Sequence, residues 1–179
     1  MPRIGAQMEI DGGEQAFAVK ARIGAQAMRR ASIQSLLHKD ASNHASTTTA
    51  IETLKTISLE AGAMNFDGAG LRLLLAGTTA ANANAKLITV VFGASEVWNS
   101  ASLNANAKPW SVIIDFHRVG ATETWVHAYG GRHNAAIVVD QFNIITDDLA
   151  NAQNLAVKAT DGIAGGTILK LAVLEGLSM

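Results

Sequence analysis

Histidines are the residues of this sequence best suited to chemistry, and three of the five, His117, His127 and His133, lie in one short stretch. A metal site needs three or four ligands that converge in a fixed geometry. No two histidines are separated by a single residue, which is the spacing of a common two-histidine metal motif. The pattern is typical of surface or interface histidines, so we expect no metal and no other cofactor.

Nucleophilic catalysis is not indicated either. The chain has no cysteine, and Phe92-Gly93-Ala94-Ser95 lacks the second glycine of the Gly-x-Ser-x-Gly elbow of serine hydrolases. Asp147 and Asp148 are adjacent, so on a strand they would point to opposite faces, and a turn is a better interpretation than a glycosidase pair. The sequence therefore predicts a protein that is not an enzyme. A small β-sandwich enzyme with a histidine metal site is the alternative.

The aromatic residues suggest recognition instead of reaction. Trp125, His127 and Tyr129 alternate along the chain, so on a strand they would lie on one face. Exposed rings of this kind stack on sugars, and they are also enriched in subunit interfaces. We therefore interpret the three residues as a platform for host glycans or for another subunit. Trp110 is expected in the core.

The composition indicates which kinds of molecule the protein is expected to bind. Hydrophobic residues make up 49% of the sequence and charged residues 16%, against about 25% charged in an average soluble protein. This shortage of charge suggests that much of the surface meets protein, as in a homo-oligomer. The net charge of -1 gives no electrostatic footprint for nucleic acid. No apolar window spans a membrane and no secretory signal begins the chain, so we expect synthesis in the cytoplasm and no membrane partner.

From Thr49 onward, strand-like segments alternate with glycine-rich turns and no helical period intervenes. This pattern predicts an all-β, antiparallel two-sheet sandwich, with a jelly roll as the first choice and a closed barrel as the alternative. Asn82-Ala83-Asn84-Ala85-Lys86 and its echo at 104–108 each precede a strand and are interpreted as loops. The eight predicted strands are 55–61, 71–76, 87–92, 110–119, 122–129, 136–145, 154–160 and 167–174.

The first part of the chain differs from the rest. Residues 40–49 are small, polar and without periodicity, which is typical of a linker, so we divide the chain into an arm with its linker (1–48) and a sandwich domain (49–179). The arm repeats Arg-Ile-Gly-Ala-Gln at residues 3–7 and 22–26, and Arg3, Ile4, Arg22 and Ile23 are candidate docking residues. A flexible tail is the alternative. The apolar residues Met28, Ile33, Leu36 and Leu37 suggest one short helix.

The strand segments resemble a jelly-roll domain found in structural proteins of tailed bacteriophages. The resemblance covers residues 49–177 and is carried by 71–79, 86–93, 110–122, 156–159 and 168–175. It implies a capsid decoration protein, head fibre or tail appendage, commonly trimeric, with no catalytic residues. It also implies a location in the virion after assembly in the host cytoplasm.

Two functions follow as hypotheses. The first is a non-enzymatic virion structural protein, a phage capsid decoration (cement) or spike protein, that trimerises and docks through its arm on the major capsid protein or another virion protein. The alternative is a tail-fibre or receptor-binding module that contacts host glycans through the platform of Trp125, His127 and Tyr129 or through the loops around Asn82 and Asn104.

Overall fold

A computed structural model describes residues 35–64, 66–101, 107–132, 138–147 and 151–177. These residues form eleven antiparallel strands in two sheets and no helix, which confirms the predicted all-β sandwich. The strands are β1 (Ser35–Asp40), β2 (His44–Ala45), β3 (Glu52–Leu59), β4 (Gly70–Thr79), β5 (Lys86–Phe92), β6 (Ser95–Asn99), β7 (Pro109–Gly120), β8 (Glu123–Arg132), β9 (Val138–Ile145), β10 (Gln153–Asp161) and β11 (Thr167–Leu177).

The connectivity is that of a jelly roll. The larger sheet has the order β1-β11-β4-β7-β8-β9, with β2 also paired to β11, and the smaller sheet has the order β3-β10-β5-β6. If β1 and β2 are counted together and β8 and β9 are set aside, eight strands remain. The first then pairs with the last, the second with the seventh, the third with the sixth and the fourth with the fifth, as in a long hairpin rolled into two sheets. The β8–β9 hairpin is an insertion that widens the larger sheet beyond β7.

Each of the eight predicted segments contains a strand among the described residues, and three further strands were not predicted. The described part of the sandwich already includes β1 and β2, ahead of the predicted start at Thr49, because both strands pair with β11. The short helix predicted near Leu36 and Leu37 is wrong, since both residues belong to β1; Met28 and Ile33 lie outside the described residues. The third unpredicted strand, β6, has only five residues.

The core lies between the sheets and follows from the alternation of side chains along each strand. In β4, Leu71, Leu73 and Leu75 are almost completely buried. Phe92 of the smaller sheet packs against Phe116 of the larger one, with ring centroids 5.3 Å apart. Trp110 is 1% exposed, so its predicted core position is confirmed. Each inward row thus contributes apolar side chains to one continuous core.

Gly77 makes room for Trp110. The two residues lie opposite each other on β4 and β7, and a Cβ on Gly77 would come within 2.1 Å of the Ile168 carbonyl oxygen and 2.6 Å of the Trp110 ring. One of the contacts is to backbone, which cannot move aside as a side-chain tip can. A side chain at position 77 therefore has to displace the indole or the neighbouring strand.

We expect Gly77→Ala to lower the free energy of unfolding by about 1–3 kcal/mol, the usual cost of overpacking. Gly120→Ala is the matched control, because its added Cβ would meet Glu123 at an ordinary 3.7 Å. Urea unfolding followed by circular dichroism measures both variants. Equal midpoints for the two would contradict the steric account.

Candidate interaction surface

The outer face of the larger sheet is apolar over most of its width. Val173, Leu74, Ile113 and Tyr129 are consecutive cross-strand neighbours on β11, β4, β7 and β8, and the first three are half-buried although they point away from the core. Further along the face the apolar side chains become more exposed. These are Trp125 (45%), Tyr129 (42%), Phe142 (60%) and Ile144 (57%).

The outer face of the smaller sheet has the opposite character. Its side chains are mainly hydroxyls, amides and charged groups: Thr53, Thr56, Ser58, Glu96, Asn154, Lys158 and Thr160. Antiparallel sheets that face water on one side show this polar pattern. The two outer faces of the sandwich therefore differ, so the apolar side chains on the outside of the larger sheet do not simply reflect the low charge of the whole chain.

A row of charged residues crosses the apolar face. Glu175, Arg72, Asp115 and His127 are consecutive neighbours on β11, β4, β7 and β8. The Arg72 guanidinium donates to both carboxylate oxygens of Asp115, at 2.7 and 2.8 Å, and this pairing raises the pKa of Arg72 above its ordinary value. Because these two charges already have each other as partners, the row can lie in a contact at less cost than unpaired charges.

The platform predicted from sequence lies at the β8 side of this face. The structure places Trp125, His127 and Tyr129 on one face of β8, and the rings of His127 and Tyr129 lie 5.8 Å apart. The Trp125 indole donates to Glu123 Oε1 at 2.8 Å, and His127 Nε2 lies 2.8 Å from Asp140. Their role as a glycan or subunit platform stays a prediction.

Sequence reasoning missed the two residues that extend the platform. Phe142 lies edge-on to Trp125 with ring centroids 6.0 Å apart, and Ile144 is the direct neighbour of Trp125 on β9. The signal was present, since Asp140, Phe142 and Ile144 alternate along a strand that was itself predicted. Without the pairing of β8 with β9, however, the sequence did not indicate which face of β9 joins the platform.

Other predicted sites are not assembled here. Arg3, Ile4, Arg22 and Ile23 lie outside the described residues, as does His133, so the docking element stays a prediction. Among the described residues, no group of three or more His, Asp or Glu side chains could hold a metal ion. The described part of the chain likewise contains no helix long and apolar enough to cross a membrane.

One cleft of about 450 Å³ opens between β1 and the end of β3. His38, Ser58 and Glu60 line it, which are the residue types of a nucleophilic triad. The Ser58 hydroxyl, however, donates to Asn154 Oδ1 at 3.0 Å, and the buried His38 Nε2 has no hydrogen-bond partner among the described residues. Within the described part of the chain, the hydrogen-bonded relay that activates a serine is therefore not formed.

The predicted linker contains a polar clip that joins the two sheets. The Asp40 carboxylate on β1 accepts hydrogen bonds from Lys55 of β3 and from the Ser42 backbone N–H and hydroxyl, and His44 Nε2 lies 2.9 Å from it. These contacts, with Lys55 the strongest, hold the pKa of Asp40 far below its ordinary value. Residues 40–44 are polar because they form this clip, not because they are an unstructured connection.

Another polar cluster closes one end of the sandwich. Lys86 is 1% exposed, and its ammonium donates to the Asn82 carbonyl, the Asn82 side chain and the Asn84 carbonyl at 2.8–3.1 Å. Burial lowers the pKa of Lys86 from its ordinary value. The Asn-Ala-Asn-Ala-Lys segment is thus a loop, as predicted, but one organised around a buried cation.

Comparisons with known proteins give no family. No protein family matches the chain, and no curated protein does. One solved structure, a protein of unknown function from Shewanella oneidensis MR-1, is 11% identical over 82% of this chain and 85% of its own, with a TM-score of 0.34. A structure of infectious bursal disease virus, Gx strain, is 12% identical over 81% of this chain and 40% of its own, with a TM-score of 0.23. Similarity this low supports no argument about function.

We expect Asp40→Asn to lower the melting temperature at pH 7 by a few degrees. A carboxyl with a folded-state pKa below its unfolded value contributes stability above about pH 4, and this contribution is lost as the pH falls. The difference between wild type and variant should therefore begin to shrink near the unfolded-state pKa of about 4 and continue to shrink as the pH is lowered from about 5 to about 2. Thermal melts across this range measure it.

Asp67→Asn is the control, because the Asp67 side chain is 68% exposed and its one ion-pair contact, to Arg118, is 3.3 Å long. It should change the melting temperature little at any of these pH values. An Asp40→Asn difference that stays constant with pH would contradict the electrostatic role of the clip.

Proposed function

We propose that this chain is a non-enzymatic structural protein that assembles with copies of itself and attaches to a larger particle. In the form that the jelly-roll resemblance favours, it is a capsid decoration (cement) or spike protein of a phage virion, trimeric, with its arm docked on the major capsid protein or another virion protein. It would be made in the host cytoplasm and reside in the virion.

The observation that carries the proposal is the apolar outer face of the larger sheet. Six strands spaced about 4.8 Å apart and about ten residues long, at about 3.3 Å per residue, present a surface of roughly 900 Å². A stable protein–protein interface needs about 800 Å² from each partner. The whole face, with its apolar positions and its charged row, is therefore large enough for a complete subunit contact.

Attachment to a particle fits the same surface and the charge-poor composition. A lattice presents many identical sites, so each weak contact raises the effective concentration at the next one. An oligomer with several arms gains from this effect more than a monomer does. The docking residues in the arm and the subunit contact on the sheet would thus act together.

We expect Leu74→Glu to convert the oligomer to a monomer at micromolar concentration. Leu74 is half-buried on central strand β4 between Val173 and Ile113, so a carboxylate there would be buried without a partner in the contact, at about 1–3 kcal/mol or more per subunit. Ala156→Glu is the matched control, because Ala156 holds the equivalent half-buried outer position on β10 of the smaller sheet.

Light scattering coupled to gel filtration measures the mass of each variant, with circular dichroism to verify folding. Wild type and Ala156→Glu should both give an oligomer built from trimers, with about three times the mass of one chain or a multiple of that mass. A monomeric wild type would contradict the assembly function. A monomeric Ala156→Glu with an oligomeric Leu74→Glu would place the contact on the other sheet.

A receptor-binding tail module is the second candidate, favoured by the exposed rings of Trp125 and Tyr129 next to the polar groups of His127 and Asp140. Aromatic faces with adjacent hydrogen-bonding groups are suited to sugars. On a glycan array, a decoration protein should give no signal. A signal that is lost in Trp125→Ala but kept in Phe66→Ala, an exposed aromatic away from the platform, would favour the second candidate.

A further inference from the structure

Each sheet of this sandwich has two edges, and proteins usually block exposed edges with charge, bulges, short strands or covering groups. The edges of the larger sheet are β1 and β9, and those of the smaller sheet are β3 and β6. An edge that lacks such protection is a template for another strand. The four edges of this molecule differ in how far they are protected against pairing with another strand.

Two edges are blocked by irregularity and charge. The β1 pairing shifts register between Leu36 and His38, and Asp40 at its end belongs to the polar clip with Lys55. The β3 pairing shifts opposite Val157 and Lys158, and the strand carries the other half of that clip. Neither edge offers a long regular row of free backbone groups.

The third edge is covered from within the chain. β6 has five residues, and side chains from β9 reach over it. Gln141 Oε1 accepts a hydrogen bond from the Asn99 backbone N–H at 3.1 Å, and the Asn143 amide donates to the Val97 carbonyl at 3.0 Å. These side-chain contacts take the place of a neighbouring strand.

The fourth edge, β9, has neither a bulge nor a covering group among the described residues, and its one charged residue, Asp140, lies 2.8 Å from His127 of β8. It has eight residues, pairs with β8 without any register shift, and contains no proline, lysine or arginine. Its outward side chains include Phe142 and Ile144, which are 60% and 57% exposed. Among the residues that the structure describes, no strand pairs with its free side.

We propose that β9 pairs antiparallel with β9 of a second copy, about a two-fold axis at Asn143, so that Phe142 of each copy lies opposite Ile144 of the other. This inference rests on the proposed function, because it assumes self-assembly, and it adds a second contact to the trimer contact on the sheet face. Three such edges join two trimers into a hexamer with closed symmetry, whereas the edge contact alone gives a dimer.

The strand itself favours a second copy in this register. Directly opposed residues of an antiparallel pair lie on the same face of the sheet. When β9 pairs with β9 of a second copy, the two-fold axis must therefore pass beside one residue, which then lies opposite the same residue of the other copy. An axis at Asp140 would oppose two carboxylates, and an axis at Phe142 would put Asp140 against Ile144. An axis at Asn143 forms two aromatic–aliphatic pairs, each stabilising by about 0.2–1 kcal/mol, and it separates the two Asp140 carboxylates by about 20 Å.

Cysteine cross-linking tests the pairing, because the natural chain has no cysteine. In Asn143→Cys the two thiols lie directly opposite, at the Cα separation of about 4.5–5.5 Å that a disulfide accepts. Gln141→Cys is the matched control, on the same strand and face and with a similar contact to β6. Its two thiols would be about 13 Å apart in this register.

After mild oxidation, Asn143→Cys should give at least about ten times more disulfide-linked dimer than Gln141→Cys on a non-reducing gel. Circular dichroism verifies that both remain folded. A cross-link in Gln141→Cys in place of Asn143→Cys would overturn the register, and no cross-link in either variant would overturn the pairing.

The mass of the wild-type protein separates this inference from the proposed function. A hexamer together with the Asn143→Cys cross-link supports both, whereas a dimer with that cross-link supports the edge contact and contradicts the trimer. A trimer without the cross-link would overturn the edge contact and leave the assembly function in place. A monomer would overturn both.

Discussion

The larger sheet is apolar on both faces, and this single constraint governs the rest of the molecule. A strand sends alternate side chains to opposite sides, so rows such as Leu71, Leu73 and Leu75 can be buried while Leu74, between them, points the other way. The smaller sheet covers only one side of the larger one. The chain itself provides no third layer over the outer side within the described residues. In the proposed assembly, a second copy of the chain would cover that side.

The β8–β9 hairpin contributes to both faces of the larger sheet. Its inward amide side chains cover the edge of β6, while its outward aromatic and aliphatic side chains enlarge the apolar face. This hairpin thus covers an exposed edge of the smaller sheet and moves the edge of the larger sheet from β7 to β9, a strand that pairs without a register shift. An isolated domain gains little from that exchange, because an open regular edge invites association. For a protein that assembles, the same exchange supplies a contact.

How far the sequence predicts this structure depends on where each residue's partners lie. Strands with both neighbours in a sheet, such as β4, have long apolar runs, and the prediction located them. β1 and β2 lie at an edge and contribute Asp40 and His44 to the polar clip, so their composition is that of a linker. Burial of Lys86 is invisible in the sequence, because the carbonyl oxygens that solvate its ammonium converge only after the loop folds.

The charged row across the apolar face has a physical use in a chain that is otherwise poor in charge. A purely apolar face allows partners to slide, since burial of apolar area has little directional preference. Arg72 and Asp115 form a bidentate pair of fixed geometry, and His127 with Asp140 forms a second polar point beside it. A partner that contacts the face must match these points or leave their remaining hydrogen-bonding groups without water, which costs more than the apolar gain from a shifted position. In the proposed assembly, the row would thereby select one arrangement among many of similar buried area.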